Sequence, residues 1–358
     1  MDTKHLSDIS LDLVGILALA DISAVARRTC LTGTSTLLDC LVLCPGFHRQ
    51  QNAIHLHAGE YPICAAMTTN YVFRIENSAT VAFLQRIGRA GELTTLTVLP
   101  PPEENSVARG LRELYDYHDA PPLSTLSYFA CTGSTAAVLM LAAHLEDWWM
   151  VLAITVLILA RLMNVAVLRR RSTKGWKGAS EPDTKSDLIV LMSQDKWIRI
   201  QGDADDVKAV TSGAWLREPT TLEDAAMGFA TLMVYLNVVT ASNASRKGQM
   251  LLVILLFASA GLLGLANQCT NVLRMYDRSV MMKEPRKSYE RRLQLTKELI
   301  RETGQSDWAL KLDMIHKDAL PFDDMPGDEV QAGASQGSDG AVEDTKQIKD
   351  DQHVIRQL

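Results

Sequence analysis

Six residues near the N-terminus, Cys40, Cys44, His48, His55, His57 and Cys64, carry the side chains that bind zinc and similar metals. The spacing C-x3-C-x3-H would set three of them on one helix face. Pro45-Gly46 interrupts that helix, however, and no paired C-x2-C follows. Neither a metal nor any other cofactor is therefore expected. Asp203, Asp205 and Asp206 resemble an acidic cluster for a divalent cation or a diphosphate, but they stand at the start of a short helical stretch and read more simply as its cap. Walker A, GxGxxG and HExxH arrangements are absent, so no catalytic residue is assigned and the balance leans against an enzyme.

The remaining chemistry sits inside apolar surroundings. Arg161, Asn164, Tyr235 and Asn237 interrupt long uncharged runs, where an ionisable or strongly polar group is expensive and a functional candidate by default. Two readings of Arg161 stay open: a charge in the middle of a span, or one snorkelling from a span shifted toward Trp148. No Asp or Glu accompanies it, which weakens a proton-coupled carrier or an acid-initiated intramembrane reaction. Asn243-Ala244-Ser245 is a glycosylation sequon at Asn243. Its closeness to two spans argues against glycan transfer.

The elements that must position these residues follow from where the charge went. The 358 residues have a net charge of −6, 22% charged residues and a mean hydropathy of +0.01. These averages hide two 26-residue runs without Asp, Glu, Lys or Arg, Ala120 to Leu145 and Gly248 to Leu273. A helix of about 20 apolar residues crosses a bilayer. The stretches 124–168 and 225–268 each divide into two such lengths: Ser124–His144, Trp149–Leu168, Ala225–Ala241 and Met250–Asn267. The expected fold is thus an α-helical integral membrane protein with four transmembrane helices in two hairpins. Small residues at i, i+4, among them Ala130 with Ser134 and Ala260 with Gly264, permit close helix packing.

Hairpins return the chain to the side it left, which puts residues 1–123, 169–224 and 269–358 together. Arg169, Arg170, Arg171, Lys174 and Lys177, with seven basic residues between Arg274 and Arg292, orient that side to the cytosol. The location expected is a membrane of the secretory pathway or the plasma membrane. Leu13 to Ala20 within 11–26 is the one segment able to change the count, as a signal peptide ending at Ala24-Val25-Ala26, a fifth span or a soluble helix. Cys30, Cys40, Cys44 and Cys64 are thiols on the cytosolic reading and two disulfides on the signal-peptide reading.

The soluble stretches have their own patterns. Residues 1–123 contain a small α+β unit over 50–120, with strand-like AIHLHAG and YPICAAMTTNYVFRI and helical SATVAFLQRIGRAG and SVARGLRELYDYH. Residues 169–224 form a ββα loop from DLIVLMS, a turn at Gln194-Asp195, KWIRIQ and DDVKAVTSGAW. Such an element is too small to stand alone. Amphipathic helices are expected within 269–320, at Ser288–Thr303 and Trp308–Ile315, and a disordered tail over 321–358, whose 3 basic and 9 acidic residues account for the net charge.

The loop and the segment after the fourth span, Gln194–Gln201 (QDKWIRIQ), Val207–Leu216 (VKAVTSGAWL) and Tyr289–Leu312 (YERRLQLTKELIRETGQSDWALKL), resemble a group of uncharacterised multi-pass membrane proteins of filamentous fungi, some encoded beside secondary-metabolite genes. The resemblance covers roughly 120–316; it implies the membrane class and a fungal setting, and carries over no catalytic residue. The function expected is a non-enzymatic scaffold or accessory protein in the lipid bilayer, binding a protein partner through 187–216 or 288–316 and no nucleic acid. Its alternatives are a small-molecule exporter or channel component using Arg161 and Asn237, and a membrane-embedded enzyme of a fungal biosynthetic pathway.

Overall fold

The computed structural model describes residues 23–46, 56–101 and 121–316, apart from 174, 176 and 177. The helix α1 (Ala24–Thr32) and a 3-10 helix (Leu37–Leu41) lead into β1 (Ile63–Ala66), β2 (Val72–Arg74), α2 (Ser78–Ile87) and β3 (Glu92–Leu99). The first helical hairpin is α3 (Pro122–His144) and α4 (Trp148–Arg171). Then come β4 (Lys185–Met192), β5 (Lys196–Asp203) and α5 (Ala204–Thr211), before the second hairpin, α6 (Thr221–Ser242) and α7 (Arg246–Cys269). The chain continues as β6 (Leu273–Met275), β7 (Arg278–Met282), β8 (Lys287–Ser288), α8 (Arg292–Thr303) and α9 (Asp307–Lys311).

Four helices, α3, α4, α6 and α7, are long and apolar enough to cross a membrane. Their ends follow from capping. Asp147 accepts from the Met150 amide at the start of α4, Ser245 from the Gly248 amide at the start of α7, and Thr220 with Glu223 closes a capping box on α6. Asp147 also accepts from the Ser245 amide (3.0 Å) and so ties the two hairpin tips together. Packing crosses between the hairpins: α3 lies along α7 and α4 along α6. At most half of each apolar stretch is buried, leaving Leu126, Phe129, Trp148, Leu232, Leu236, Ile254 and Phe257 exposed. Polar groups, including Ser124, Thr132, Thr135, Arg161, Asn164, Asn237 and Ser259, are buried within the bundle. An exterior so apolar around so polar an interior reverses the usual arrangement in water.

The sequence pattern suggests two separate small units beside the helices; the structure joins them. The described strands form one eight-stranded sheet in the order β2-β1-β4-β5-β3-β7-β6, with β8 also paired to β3. β3 runs parallel to β5 (Leu93 opposite Trp197) and antiparallel to β7 (Leu96 opposite Met282). The ββα loop thus sits at the centre, with β4 on β1 and β5 on β3. Alternation divides the faces. Cys64, Leu188, Val190, Ile198 and Ile200 pack with α1, α2, α5 and Trp215. On the other face Arg199, which accompanies Trp197, reaches Glu302 of α8 (2.6 Å).

Several expectations change in detail. Residues 56–59 of AIHLHAG form turns rather than a strand, and SVARGLRELYDYH lies outside the described residues, as do His48, His55 and the tail from 321. The strand β3 and the β6–β7 hairpin lie where the pattern suggests only a loop and helices. Most of 11–26 is also outside the described residues, but Val25 and Ala26 of the supposed cleavage motif are buried in α1, which packs on α7, β6 and α2.

Candidate functional site

Arg161 lies 10 residues before the end of α4 (171 − 161), about 15 Å along the helix from the sheet side. It is 2% exposed, and its Nε donates to the main-chain oxygen of Asp39 (3.0 Å). Asp39 belongs to the 3-10 helix, which packs between α3 and α4. Its carboxylate accepts from the Tyr128 hydroxyl of α3 (2.7 Å) and from the Thr36 amide (2.7 Å). The Arg28 guanidinium stands over the Tyr128 ring, 5.0 Å from its centre. A carboxylate thus stands inside the bundle, on a segment that precedes the long helices. That segment ends in Val42, Leu43 and Cys44, which are at most 1% exposed and belong to the core of the helical bundle. Burial pushes the Cys44 thiol up to about 12.

The other polar candidates of the long helices have surroundings of their own. Asn164 turns back on its own helix, donating to the Ala160 carbonyl (3.0 Å). Asn237 is buried on α6 and accepts from Thr240 (2.6 Å). It lies 16 residues from the sheet-side start of α6 (237 − 221), about 24 Å away, and so at a different level from Arg161. Tyr235 is 44% exposed on the bundle's outer side. Asn243 sits at the C-terminal cap of α6 and donates to Val239 (2.7 Å), while the Ser245 hydroxyl of its sequon is engaged in capping α7.

The three acidic residues before α5 have separate structural partners. Asp203 pairs with Lys185 (2.5 Å), Asp205 accepts from the Glu181 amide (2.9 Å), and Asp206 forms a buried ion pair with Arg278 of β7 (2.6 Å). The expected capping role fails in detail, since no side-chain cap bond forms on α5. All six cysteines are free, and among the described residues no three metal-ligating side chains come together. Cys44 faces the Pro45 carbonyl and Cys64 the Phe73 carbonyl. Burial raises the thiols of Cys30 and Cys64 well above their ordinary value.

The segments expected to meet a partner spend their apolar side chains internally. Leu188, Val190, Ile198 and Ile200 fill one face of the sheet, and Leu295, Leu299 and Trp308 of α8 and α9 are buried. Asn70 fastens these last helices, accepting from the Trp308 amide (3.1 Å) and donating to Gln305 (2.8 Å). Asp187 binds Arg199 through two nitrogens (2.9 and 2.6 Å), which holds that guanidinium above its ordinary value. Deleting 187–216 would therefore remove the middle of the sheet as well as any docking surface.

The junction between sheet and helices is closely bonded. Arg86 of α2 donates through Nη2 to the carbonyls of Asn267 (2.7 Å), Gln268 (3.1 Å) and Thr270 (2.8 Å), placing a cation at the C-terminus of α7. Asn267 donates to Ala24 (2.8 Å), and Trp215 to Gly33 (2.8 Å). Comparison with protein-family models, with curated proteins and with solved structures finds no match to this chain.

Proposed function

We propose that the chain is an integral membrane protein in which α3, α4, α6 and α7 span the bilayer, and that it serves as a non-enzymatic scaffold or accessory protein presenting one rigid cytosolic domain. The observation that carries the topology is the sheet itself. Its strands come from before the first hairpin, between the hairpins and after the second, and strands cannot pair across a membrane. The apolar exterior of the four helices supports their immersion in lipid, and Arg169, Arg170 and Arg171 at the sheet-side end of α4 support a cytosolic sheet. On this reading Asp39 and Arg161 meet at bilayer depth, where non-helical backbone is tolerated only when enclosed by protein. The burial of Val42, Leu43 and Cys44 supports a closed bundle over an exporter or channel.

Topology mapping tests this. Tyr71→Cys, Asn243→Cys, Asp195→Cys and Glu146→Cys are labelled in intact membrane vesicles, against the background of the six native cysteines. Positions 71 and 195 should be labelled from one side, and 146 and 243 from the other. The Glu60 carboxylate accepts from the Ser193 amide (2.7 Å), so the regions of 71 and 195 share one folded body. Labelling of 71 and 195 from opposite sides would overturn the proposal.

A further inference from the structure

A cavity of about 840 Å³ opens where the sheet-side end of α7 meets α1 and α2. Its size falls within the range of about 300–1,000 Å³ typical of small-molecule sites. The inner wall includes Ala260 and Gly264, nine and five residues before Cys269 (269 − 260 and 269 − 264), hence about 13 and 8 Å along α7 from its end. A Cβ added at Gly264 would meet nothing within 4 Å, so the space beside it is open. The mouth is polar and includes Arg27, Arg86, Lys196 and Glu60.

Three cations thus face one carboxylate, and that carboxylate is occupied by Gln85 (2.5 Å) and by the Ser193 amide (2.7 Å). Among the described residues neither Arg27 nor Arg86 forms an ion pair. Burial and the neighbouring Arg27 charge hold the Arg86 guanidinium below its ordinary value, while its Nη2 is turned to the carbonyls that end α7. The cavity is therefore apolar where it runs along α7 and cationic at the level where α7 ends.

We propose that this cleft binds an anionic amphiphile, with its phosphate or carboxylate head at Arg27 and Arg86 and its acyl chain against Ala260 and Gly264. The inference rests on the membrane reading above, and the two fail separately: vesicle labelling reports which helices cross, whereas lipid retention in detergent is independent of orientation. The probes are phosphatidic acid and a long-chain fatty acid, each added to full-length protein in phosphatidylcholine nanodiscs and then quantified on the detergent-repurified chain. Retention of one lipid per chain for either probe supports the site and identifies the head it prefers; retention of neither overturns it. Gly264→Leu, whose Cβ enters open space, narrows the apolar end and should abolish retention with the thermal midpoint preserved. Arg27→Gln, which removes a charge that makes no ion pair among the described residues, should weaken retention roughly tenfold. Unchanged retention in both variants refutes the site. So does competition by glycerol 3-phosphate as effective as that by phosphatidic acid, since the chain would then contribute nothing.

Discussion

A double-mutant cycle on Asp39 and Arg161 measures how strongly these two buried charges, joined through the Asp39 main-chain oxygen, are coupled. The Asp39 carboxylate is the leading favourable charge facing Arg161 and holds Tyr128 and the Thr36 amide, while its main-chain oxygen receives Arg161 Nε. Arg161→Leu removes a buried cation together with its bond to the Asp39 main-chain oxygen, and Asp39→Asn removes the carboxylate charge while leaving that bond in place. Breaking a buried pair from either side costs about 3–5 kcal/mol, whereas removing both charges is often nearly neutral. At about 2 °C per kcal/mol, the lower end for large domains, each single variant should lose roughly 6–10 °C in thermal midpoint. The double variant should lose clearly less than either. Asn retains an acceptor for Tyr128 and for Thr36, so the cycle isolates charge from shape. The assay is thermal loss of helical circular dichroism and of monodisperse elution, in one detergent at constant concentration. Additivity of the two single losses to within about 0.5 kcal/mol would refute the coupling.

The soluble domain supplies two further tests. His57 is buried, neither of its ring nitrogens is hydrogen-bonded among the described residues, and desolvation holds its pKa below 6.5. Its folded pKa is the lower one, so its contribution to stability is complete above about pH 6.5 and is lost as the pH falls below that; His57→Phe should flatten the thermal midpoint between about pH 6.5 and pH 5, and an unchanged slope would assign the dependence to another group. Gly33 has φ +68°, and a Cβ there would lie 2.4 Å from the Arg274 carbonyl oxygen, whereas Gly304 has φ +69° and open space. Gly33→Ala should therefore cost about 2 kcal/mol or more by thermal denaturation, against about 1 for Gly304→Ala, and equal costs would show that the close approach to Arg274 carries no energy.

Among the four long helices, α3 and α7 are legible in the sequence because absence of charge over 26 residues is a signal that needs no partner to be read, and α4 and α6 because few charges interrupt 124–168 and 225–268. The turn at Gln194-Asp195 is legible too, and both residues have positive φ in the three-residue connection between the paired Met192 and Lys196. β3 is not. Its ELTTLTVL run is rich in Thr and is fixed as a strand by β5 and β7, which lie far away in the chain. Leu273–Met282 is likewise obscured, because Arg274 and Arg278 read as orienting charges beside a span. Arg278 is instead committed to Asp206, and Arg274 is buried beside it in the sheet. Arg161 stands out as an isolated charge, but Asp39, whose main-chain oxygen it bonds, lies outside the apolar helices that surround it. A capping pattern at Thr36-x-x-Asp39 is the available signal, and nothing local to it marks the turn as part of a helical bundle.

The pairing of Leu96 with Met282 has a consequence for biogenesis. The two residues are 186 positions apart (282 − 96), with both hairpins between them. At about 5–20 residues per second, β3 waits roughly 10–40 s after its own synthesis before β7 emerges. During that interval its edge is unpaired and able to recruit other strands. A ribosome that has released β3 and not yet β7 leaves a domain that cannot close, and a hairpin inserted the wrong way leaves one that never can. On the membrane reading proposed above, completion of the sheet would serve as a proofreading step for insertion of the hairpins. Chains that fail it remain open to chaperones and proteases on the side where the N-terminal strands wait.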